Sequence, residues 1–154
     1  MQIAVSLRAA QPDELPIVAG FWLAMFEEVG KHYERDFQPD WRTRFVEFFE
    51  PRLARGDARY IVAVDREERI VGSAGAMLTE GYPSVIHGLR SGYIFGIYVL
   101  PTHRGRGLAT RLTHAAVNFL RAKDPLAIRL HASPFGRPIY EKLGFLPTNE
   151  MQAS

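Results

Sequence analysis

The fold is decided by one stretch of the sequence, Ile97-Tyr98-Val99-Leu100-Pro101-Thr102-His103-Arg104-Gly105-Arg106-Gly107-Leu108-Ala109. Its apolar first part is typical of a strand, and the glycine-rich part that follows opens a helix. The first N–H groups of a helix have no partner within the helix and carry the positive end of its dipole. The two glycines let the backbone approach a ligand closely, and the arginines add positive charge. The stretch therefore predicts a binding site for a diphosphate.

Other glycine-rich motifs fit this stretch less well. A Walker A loop requires Gly-Lys-Ser or Gly-Lys-Thr after four spacer residues, and the sequence contains neither. A dinucleotide-binding fingerprint requires a third glycine, but this chain has Thr110 at that position. It also requires an acidic residue that closes a second strand, and this residue is missing because Asp124 precedes a strand. An Arg-Gly tract that binds RNA would be longer and repetitive. The pattern that remains is Arg-x-x-Gly-x-Ala at residues 104–109.

Hydrophobic periodicity on both sides of this stretch predicts an α/β domain with a mixed sheet. Helices are expected to start at Pro12 and Asp40, near Gly105 and near Gly136, with Pro51 kinking or ending the second helix. The apolar face of the third helix is Leu108, Leu112, Ala115, Ala116 and Phe119. Strands are expected at residues 2–8, 60–65, 70–78, 93–100 and 126–131, with a last strand from residue 145. The predicted order is β-α-α-β-β-β-α-β-α-β.

A second segment carries a further pattern, Ser133-Pro134-Phe135-Gly136-Arg137-Pro138-Ile139-Tyr140-Glu141-Lys142-Leu143-Gly144-Phe145. The two segments resemble motifs A and B of the GCN5-related N-acetyltransferase (GNAT) superfamily, Pro-x-x-Arg-Gly-x-Gly and Asn-x-x-Ala-x-x-Leu-Tyr-Glu-Lys-Leu-Gly-Phe. Ser133 stands in place of the family's Asn, and Gly136 in place of its Ala. The resemblance covers essentially the whole chain. It implies one GNAT domain over residues 1–154, with a mixed central sheet of six to seven strands and four helices.

The resemblance also implies a reaction, the transfer of an acetyl group from acetyl-CoA to a primary amine. The amine would attack directly in a ternary complex, in agreement with the absence of cysteine. In this family the fourth and fifth strands splay apart, and the pantetheine arm pairs with the exposed edge of the fourth. Backbone donors near Tyr98 and Val99 would then polarise the thioester carbonyl. The residues assigned to acetyl-CoA are Ile97, Tyr98, Val99, Arg104, Gly105, Arg106, Gly107, Leu108, Ala109, Thr110 and Ser133.

Two catalytic tasks need a proton carrier: protonating the leaving thiolate and deprotonating the ammonium group. Tyr140 is the predicted general acid, because a phenol is protonated at neutral pH. His131 is the first choice for the base, with an outward-facing surface histidine or a water chain as alternatives. By spacing, the glutamate base of histone-acetylating members corresponds to about Tyr93, so that role does not transfer. Further base candidates are Glu27, Glu28, His32, Glu34, Glu80 and His87.

The family builds its acceptor pocket from the first two helices with the loop between them, and from the loop before the fourth strand. The two loops are residues 31–39 and 80–91 here. Acidic and aromatic side chains in these loops would suit an ammonium group, and an ordinary polar loop is the alternative. The predicted acceptor-binding residues are His32, Tyr33, Glu34, Glu80 and Tyr93. The acceptor is a small amine, an amino acid, a peptide terminus or a lysine, and the sequence does not choose among them.

Composition restricts the remaining classes. Hydrophobic residues are 47% and charged residues 23% of the chain, as in ordinary globular domains, and a net charge of +2 does not indicate nucleic acid. The start lacks a signal-peptide pattern, and the apolar stretch at residues 15–26 is shorter than the about 20 residues that span a bilayer. We expect a cytoplasmic protein with no metal, nucleic-acid or membrane partner, and a homodimer from the family resemblance. A non-catalytic acyl-CoA-binding regulatory domain of the same fold is the alternative function.

Overall fold

The computed structural model describes residues 4–28, 38–84, 88–125 and 127–153, whose strands and helices follow the order β-α-α-β-β-β-α-β-α. The strands are β1 (Ser6–Ala9), β2 (Ala58–Val64), β3 (Ile70–Ser84), β4 (Gly88–Val99) and β5 (Ile128–Leu130). The helices are α1 (Leu15–Glu28), α2 (Trp41–Arg55), α3 (Leu108–Arg121) and α4 (Arg137–Lys142). Single turns of 3₁₀-helix precede α1 (Pro12–Glu14) and follow β4 (Pro101–His103).

The strands form one mixed sheet in the order β1-β2-β3-β4-β5. Neighbouring strands from β1 to β4 are antiparallel, and β5 runs parallel to β4. The parallel pair requires a crossover connection, which α3 supplies. Strands β2 and β3 form a hairpin. Asp65 closes it by accepting hydrogen bonds from the backbone N–H groups of Glu67 (2.9 Å) and Arg69 (3.0 Å), which lower the pKa of the Asp65 carboxyl.

The core is divided by the sheet because successive side chains of a strand point to opposite faces. On β2, Ile61 and Ala63 pack in the cluster that contains α3, whereas Tyr60 and Val62 pack with residues of α1 and α2. The predicted apolar face of α3 is confirmed. Its buried members include Leu108, Leu112, Ala116 and Phe119, and Ala115 packs against the same cluster.

The second helix does not end at Pro51, which was one of the two outcomes predicted for that residue. Helix α2 continues through Pro51 to Arg55 and ends at Gly56, whose φ of +76° places it in the left-handed conformation expected there. A proline removes only one backbone donor from a helix, and tertiary packing can offset that loss. Phe49 of α2 is buried and stacks on Phe95 with ring centroids 5.4 Å apart.

The strand count also differs from the prediction. The described residues form a sheet of five strands rather than six to seven, and the strand expected from residue 145 is not formed there. Pro147 has no N–H to donate to a ladder, and residues 146–150 are exposed. The N–H of Phe145 donates instead to the carbonyl of Tyr140 (3.0 Å), which completes the end of α4. Across the same described ranges, no helix is long and apolar enough to cross a bilayer.

Candidate active site

The turn between β4 and α3 exposes two glycines in the left-handed conformation. Gly105 has a φ of +77° and Gly107 a φ of +78°, and a Cβ at either position would have no atom within 4 Å. Such φ values strain any other residue type, which explains why both positions are glycine. The outer face of the turn is thus bare backbone, open to a ligand.

Six consecutive backbone N–H groups at this turn are free. Within the described part of the chain, the N–H groups of residues 105–110 donate no hydrogen bond, and the first bonded one is Arg111, which donates to the Gly107 carbonyl (3.1 Å). Leu108 is buried and anchors the start of α3 in the core, so its own N–H is held in place. An array of unpaired donors at the positive end of a helix dipole is a site for an anion, and its extent matches a diphosphate.

The two arginines of the turn have different roles. Arg104 Nη2 contacts both carboxylate oxygens of Glu28 (2.7 and 2.9 Å), and its Nε donates to the carbonyl of Val99 (2.8 Å). The Tyr98 hydroxyl donates to the same carboxylate (3.0 Å), and burial raises the pKa of that hydroxyl. Arg104 therefore fastens the turn to α1 and to the end of β4. Arg106 is exposed and engages no described residue, which leaves its charge available to a ligand.

The edge of β4 that faces β5 is open beyond Ile94. The last pair between the two strands is Ile94 with Leu130, whereas β4 continues to Val99. This is the splaying of the fourth and fifth strands that the sequence led us to expect. The unpaired edge leads directly to the glycine-rich turn, so a ligand strand can lie along it and reach the turn.

A bulge at Gly96 determines which donors face this open edge. The N–H of Gly92 points to β5, since it donates to the Ala127 carbonyl (2.7 Å), but the N–H of Leu100 points to β3 and donates to Val71 (2.9 Å). On a regular strand, two residues eight positions apart point their N–H groups to the same side. Because Gly92 and Leu100 point theirs to opposite sides, one extra residue must be inserted between them, and the register with β3 shifts at this point. Beyond the bulge, the N–H groups of Ile97 and Val99 face the open edge, and that of Tyr98 faces β3.

The bulge at Gly96 was not predicted from the sequence, although a glycine inside a strongly apolar strand is a recognised signal for a bulge. Its φ is +61°, and a Cβ there would lie 2.8 Å from Trp22 Nε1, so no larger residue fits without movement of Trp22. Gly96 therefore sets the phase of the donors along the open edge.

Tyr140 lines a cavity of about 410 Å³ where β4 and β5 begin to diverge. The cavity wall also contains Tyr93 and His131, whose ring centroids lie 5.6 Å apart, and part of the segment after α4. Burial raises the pKa of the Tyr140 hydroxyl above its ordinary value. In the described chain this hydroxyl makes no hydrogen bond, and it is not sealed from solvent. It is therefore a protonated donor without a protein acceptor.

The two departures from motif B have local explanations. The Tyr140 ring lies over Gly136, where a Cβ would approach the ring to 2.8 Å, so an alanine would displace the tyrosine. Ser133 Oγ accepts a hydrogen bond from the Gly136 N–H (3.1 Å), and the Ser133 carbonyl accepts one from Arg137 (2.9 Å). Ser133 thus stabilises the start of α4, and its hydroxyl proton can still be donated to a ligand.

The predicted acceptor-binding residues are only partly brought together. His32, Tyr33 and Glu34, and the base candidate His87, lie outside the described residues. Glu80 is exposed and lies opposite Arg90 in the register of β3 and β4. It does not line the cavity around Tyr140. Tyr93 lies in the wall of that cavity.

Two other base candidates lie on α1. Glu27 is exposed at the end of α1, and Glu28 is held by Arg104 and Tyr98. The described residues contain no group of three or more His, Asp or Glu side chains arranged to hold a metal ion.

A second cavity, of about 580 Å³, adjoins the first at Tyr93, which lines both. We call it the aromatic pocket. It lies between α1, α2 and the strands β3 and β4. Its walls are Trp22, Phe26, Gln38, Trp41, Arg44, Phe45, Phe48, Phe49, Met77, Tyr93 and Phe95.

The chain belongs to the acetyltransferase (GNAT) family, whose model matches residues 26–145. A GCN5-related N-acetyltransferase from Ralstonia eutropha has the same fold, with a TM-score of 0.85, 29% identity and 98% coverage of both chains. A predicted acetyltransferase with acetyl-CoA from Clostridium acetobutylicum gives a TM-score of 0.83 and 25% identity, covering 98% of this chain and 96% of that one. Membership of this family implies acyl transfer.

A curated relative is glucosamine 6-phosphate N-acetyltransferase of Trypanosoma brucei brucei, 38% identical over 78 residues. The match covers 50% of this chain and 51% of that protein, so this chain spans about half the length of the relative.

Proposed function

We infer that the protein is an N-acetyltransferase that transfers the acetyl group of acetyl-CoA to a primary amine by direct attack in a ternary complex. The observation that supports this most strongly is the row of six free N–H groups at residues 105–110, directly after the open edge of β4. A diphosphate fits the first feature and an amide-containing arm fits the second. Bound acetyl-CoA supplies the activated acyl group.

The chain's own residues then have distinct roles. The N–H groups of residues 105–110 bind the diphosphate, with Arg106 adding charge and Arg104 holding the turn in shape. The open-edge N–H groups of Ile97 and Val99 position the pantetheine arm and the thioester carbonyl, where developing negative charge would be stabilised. These donors are fixed by the bulge at Gly96 and need no rearrangement when charge develops.

The proton transfers fall to the cavity shared by Tyr140 and His131. The amine nitrogen forms a bond to the carbonyl carbon, the carbon–sulfur bond breaks, and Tyr140 donates its proton to the departing sulfur. The nitrogen, on becoming an amide, loses a second proton, which returns through water to Tyr140. His131 is exposed directly after β5, and we assign it the removal of the ammonium proton, directly or through water. No covalent link between acetyl group and protein is required.

The alternative, a domain that binds acyl-CoA without turnover, needs the turn and the open edge but no proton donor. The free hydroxyl of Tyr140, in a cavity at the point where the strands diverge, favours the enzyme. The relative's name adds glucosamine 6-phosphate to the acceptors to be tested.

The proposed function is tested by release of free thiol from acetyl-CoA in the presence of arylalkylamines, amino acids, polyamines, peptides and glucosamine 6-phosphate. We expect at least one amine to give thiol release together with its N-acetyl product, identified by mass spectrometry. Calorimetry on the same preparation establishes that acetyl-CoA binds. Tight binding without turnover of any acceptor would support the non-catalytic alternative.

Replacing Arg106 by Ala should weaken coenzyme A binding about two- to fivefold at low salt, since an exposed ion pair contributes only about 0.2–1 kcal/mol. The loss should shrink as ionic strength rises. A pantetheine fragment without phosphates should bind both forms equally. Arg66→Ala, an exposed arginine of the β2–β3 hairpin, is the matched control. Equal losses for coenzyme A and for the fragment would contradict this electrostatic role.

A further inference from the structure

The aromatic pocket is unusual in the composition of its walls. Among the eleven described residues that line it, eight are aromatic, Met77 is apolar, and Gln38 and Arg44 are polar. A volume of about 580 Å³ lies in the range of small-molecule sites, which is about 300–1,000 Å³. Site and ligand are complementary in such pockets, so these walls favour a ligand group that is itself apolar.

Two polar side chains of this wall, Trp22 and Arg44, are already hydrogen-bonded within the protein. Trp22 Nε1 donates to the Tyr60 hydroxyl (3.2 Å), so neither group is offered to a ligand. Arg44, the cationic side chain among the described wall residues, donates from Nε to Asp40 (2.9 Å) in an exposed ion pair. A sugar phosphate placed here would lose its hydration without gaining equivalent hydrogen bonds. The pocket therefore disfavours the acceptor named for the curated relative.

The aromatic pocket adjoins the cavity of Tyr140. Tyr93 lines both spaces, and its ring lies 6.5 Å from that of Phe95 in the pocket and 5.6 Å from that of His131 in the cavity. An acceptor whose amino group lies near Tyr93 can therefore reach the reacting centre with its nitrogen and extend its other end into the aromatic pocket.

We propose that the acceptor is a small primary amine that carries an aromatic group, and that the aromatic pocket binds this group. The proposal rests on the proposed function, because it names the acceptor of that same site. Aromatic side chains offer edge-to-face contacts to a ligand ring, in the arrangement that Trp22 already makes with Phe45 (5.7 Å, 74°). The amine linker must be short enough to end beside Tyr93.

Binding can be measured without turnover because both tryptophans of the chain, Trp22 and Trp41, line this pocket. The protein alone is titrated with 2-phenylethylamine, excited at wavelengths that the phenyl ring does not absorb, with ethanolamine and glucosamine 6-phosphate as matched amines. We expect a saturable change of tryptophan emission with 2-phenylethylamine only. No change with 2-phenylethylamine would overturn the proposal.

The variant Phe48→Ala removes part of the wall at a residue that is 39% exposed, so folding should be preserved. It should weaken the binding of 2-phenylethylamine about two- to tenfold, the range expected for the loss of one aromatic pair. Ile17→Ala, a 47% exposed residue outside the pocket, is the control and should leave the affinity unchanged. Equal affinities of the Phe48 and Ile17 variants would contradict the assignment of the pocket.

Turnover separates this proposal from the function on which it rests. With acetyl-CoA, kcat/KM for 2-phenylethylamine should exceed that for glucosamine 6-phosphate by about tenfold or more, the effect of burying one aromatic side group. A preference for glucosamine 6-phosphate would overturn the aromatic acceptor and leave the acetyltransferase intact. Saturable tryptophan quenching without thiol release from any amine would support the pocket and contradict the proposed function.

Discussion

Replacing Tyr140 by Phe is expected to lower kcat by about 10²–10⁴-fold, the usual contribution of general acid catalysis. The substitution keeps the ring that lies over Gly136 and removes only the hydroxyl, which makes no hydrogen bond to any described residue. Folding and acetyl-CoA affinity should therefore stay near the values of the unmodified protein. The measurement is kcat under conditions in which the chemical step limits turnover.

The pH profile gives an independent test of the same role. Because burial raises the pKa of the Tyr140 hydroxyl, the proton is retained through neutral pH and lost only in strongly alkaline solution. In the unmodified enzyme kcat should fall as Tyr140 loses its proton, and Tyr140→Phe should lack this alkaline limb. The limb should lie above the ordinary tyrosine range, not below it.

Tyr93→Phe provides the matched control, because it removes the same hydroxyl from another tyrosine of the same cavity. Burial raises the pKa of that hydroxyl as well, but the ring lies on β4 and lines the acceptor side. We expect its effect on kcat to be less than tenfold, well below the range for general acid catalysis. If Tyr140→Phe has the same kcat as the unmodified enzyme, or if Tyr93→Phe lowers kcat more than Tyr140→Phe does, the proton comes from another group.

Replacing Gly107 by Val should weaken coenzyme A binding by about a hundredfold or more. Gly107 has a φ of +78° at the N-cap of α3, a conformation that a β-branched residue adopts only with strain. The side chain would also occupy the open space through which a diphosphate approaches the free N–H groups. Loss of two hydrogen bonds to a charged group, at about 1.5–3 kcal/mol each, corresponds to a factor of this size. Calorimetric titration with coenzyme A measures it.

Two control variants separate strain from obstruction. Gly56→Val introduces the same strain at a φ of +76°, at the end of α2 and outside the turn, so it should reduce stability without weakening coenzyme A. Gly107→Ala strains the turn with a smaller side chain and should give an intermediate loss of affinity. Unmodified affinity in Gly107→Val, or an equal loss in Gly56→Val, would show that the diphosphate is bound elsewhere.

The central part of the fold was predictable because its signals are local. The strand, the glycine-rich turn and the apolar face of α3 occupy one continuous stretch, and the conformational demands on Gly105 and Gly107 follow from residue type alone. The same holds for the end of α2 at Gly56. Strand order and the parallel placement of β5 then follow from the resemblance to a known family rather than from periodicity.

Features that depend on distant residues were not predictable. Arg104 looked like a phosphate ligand from its position in the turn, but its partner Glu28 lies on α1, far away in sequence. The course of α2 through Pro51 depends on the packing of Phe49, and the missing strand after residue 145 depends on where α4 ends. Tertiary contacts outweigh local propensity at each of these places.

The aromatic pocket shows another limit of periodicity. The aromatic residues of α2 recur at helical spacing, as they would if they faced a filled core. A pattern of apolar residues indicates that one face of a helix is turned away from water. It does not indicate whether side chains of a neighbouring element fill the space next to that face. Only the positions of α1, β3 and β4 show that a volume of about 580 Å³ remains between these elements.

The most direct test of the account is to follow the acetyl group itself. The protein is incubated with acetyl-CoA labelled with carbon-13 in the acetyl group, with and without 2-phenylethylamine or another amine that releases thiol, and all products are analysed by mass spectrometry. Direct transfer of the acetyl group predicts that labelled N-acetyl amine and free coenzyme A form in equal amounts. It also predicts that the mass of the protein stays unchanged when the amine is omitted. Labelled acetate without N-acetyl amine, or a stable labelled protein that later transfers the group, would contradict direct transfer to an amine.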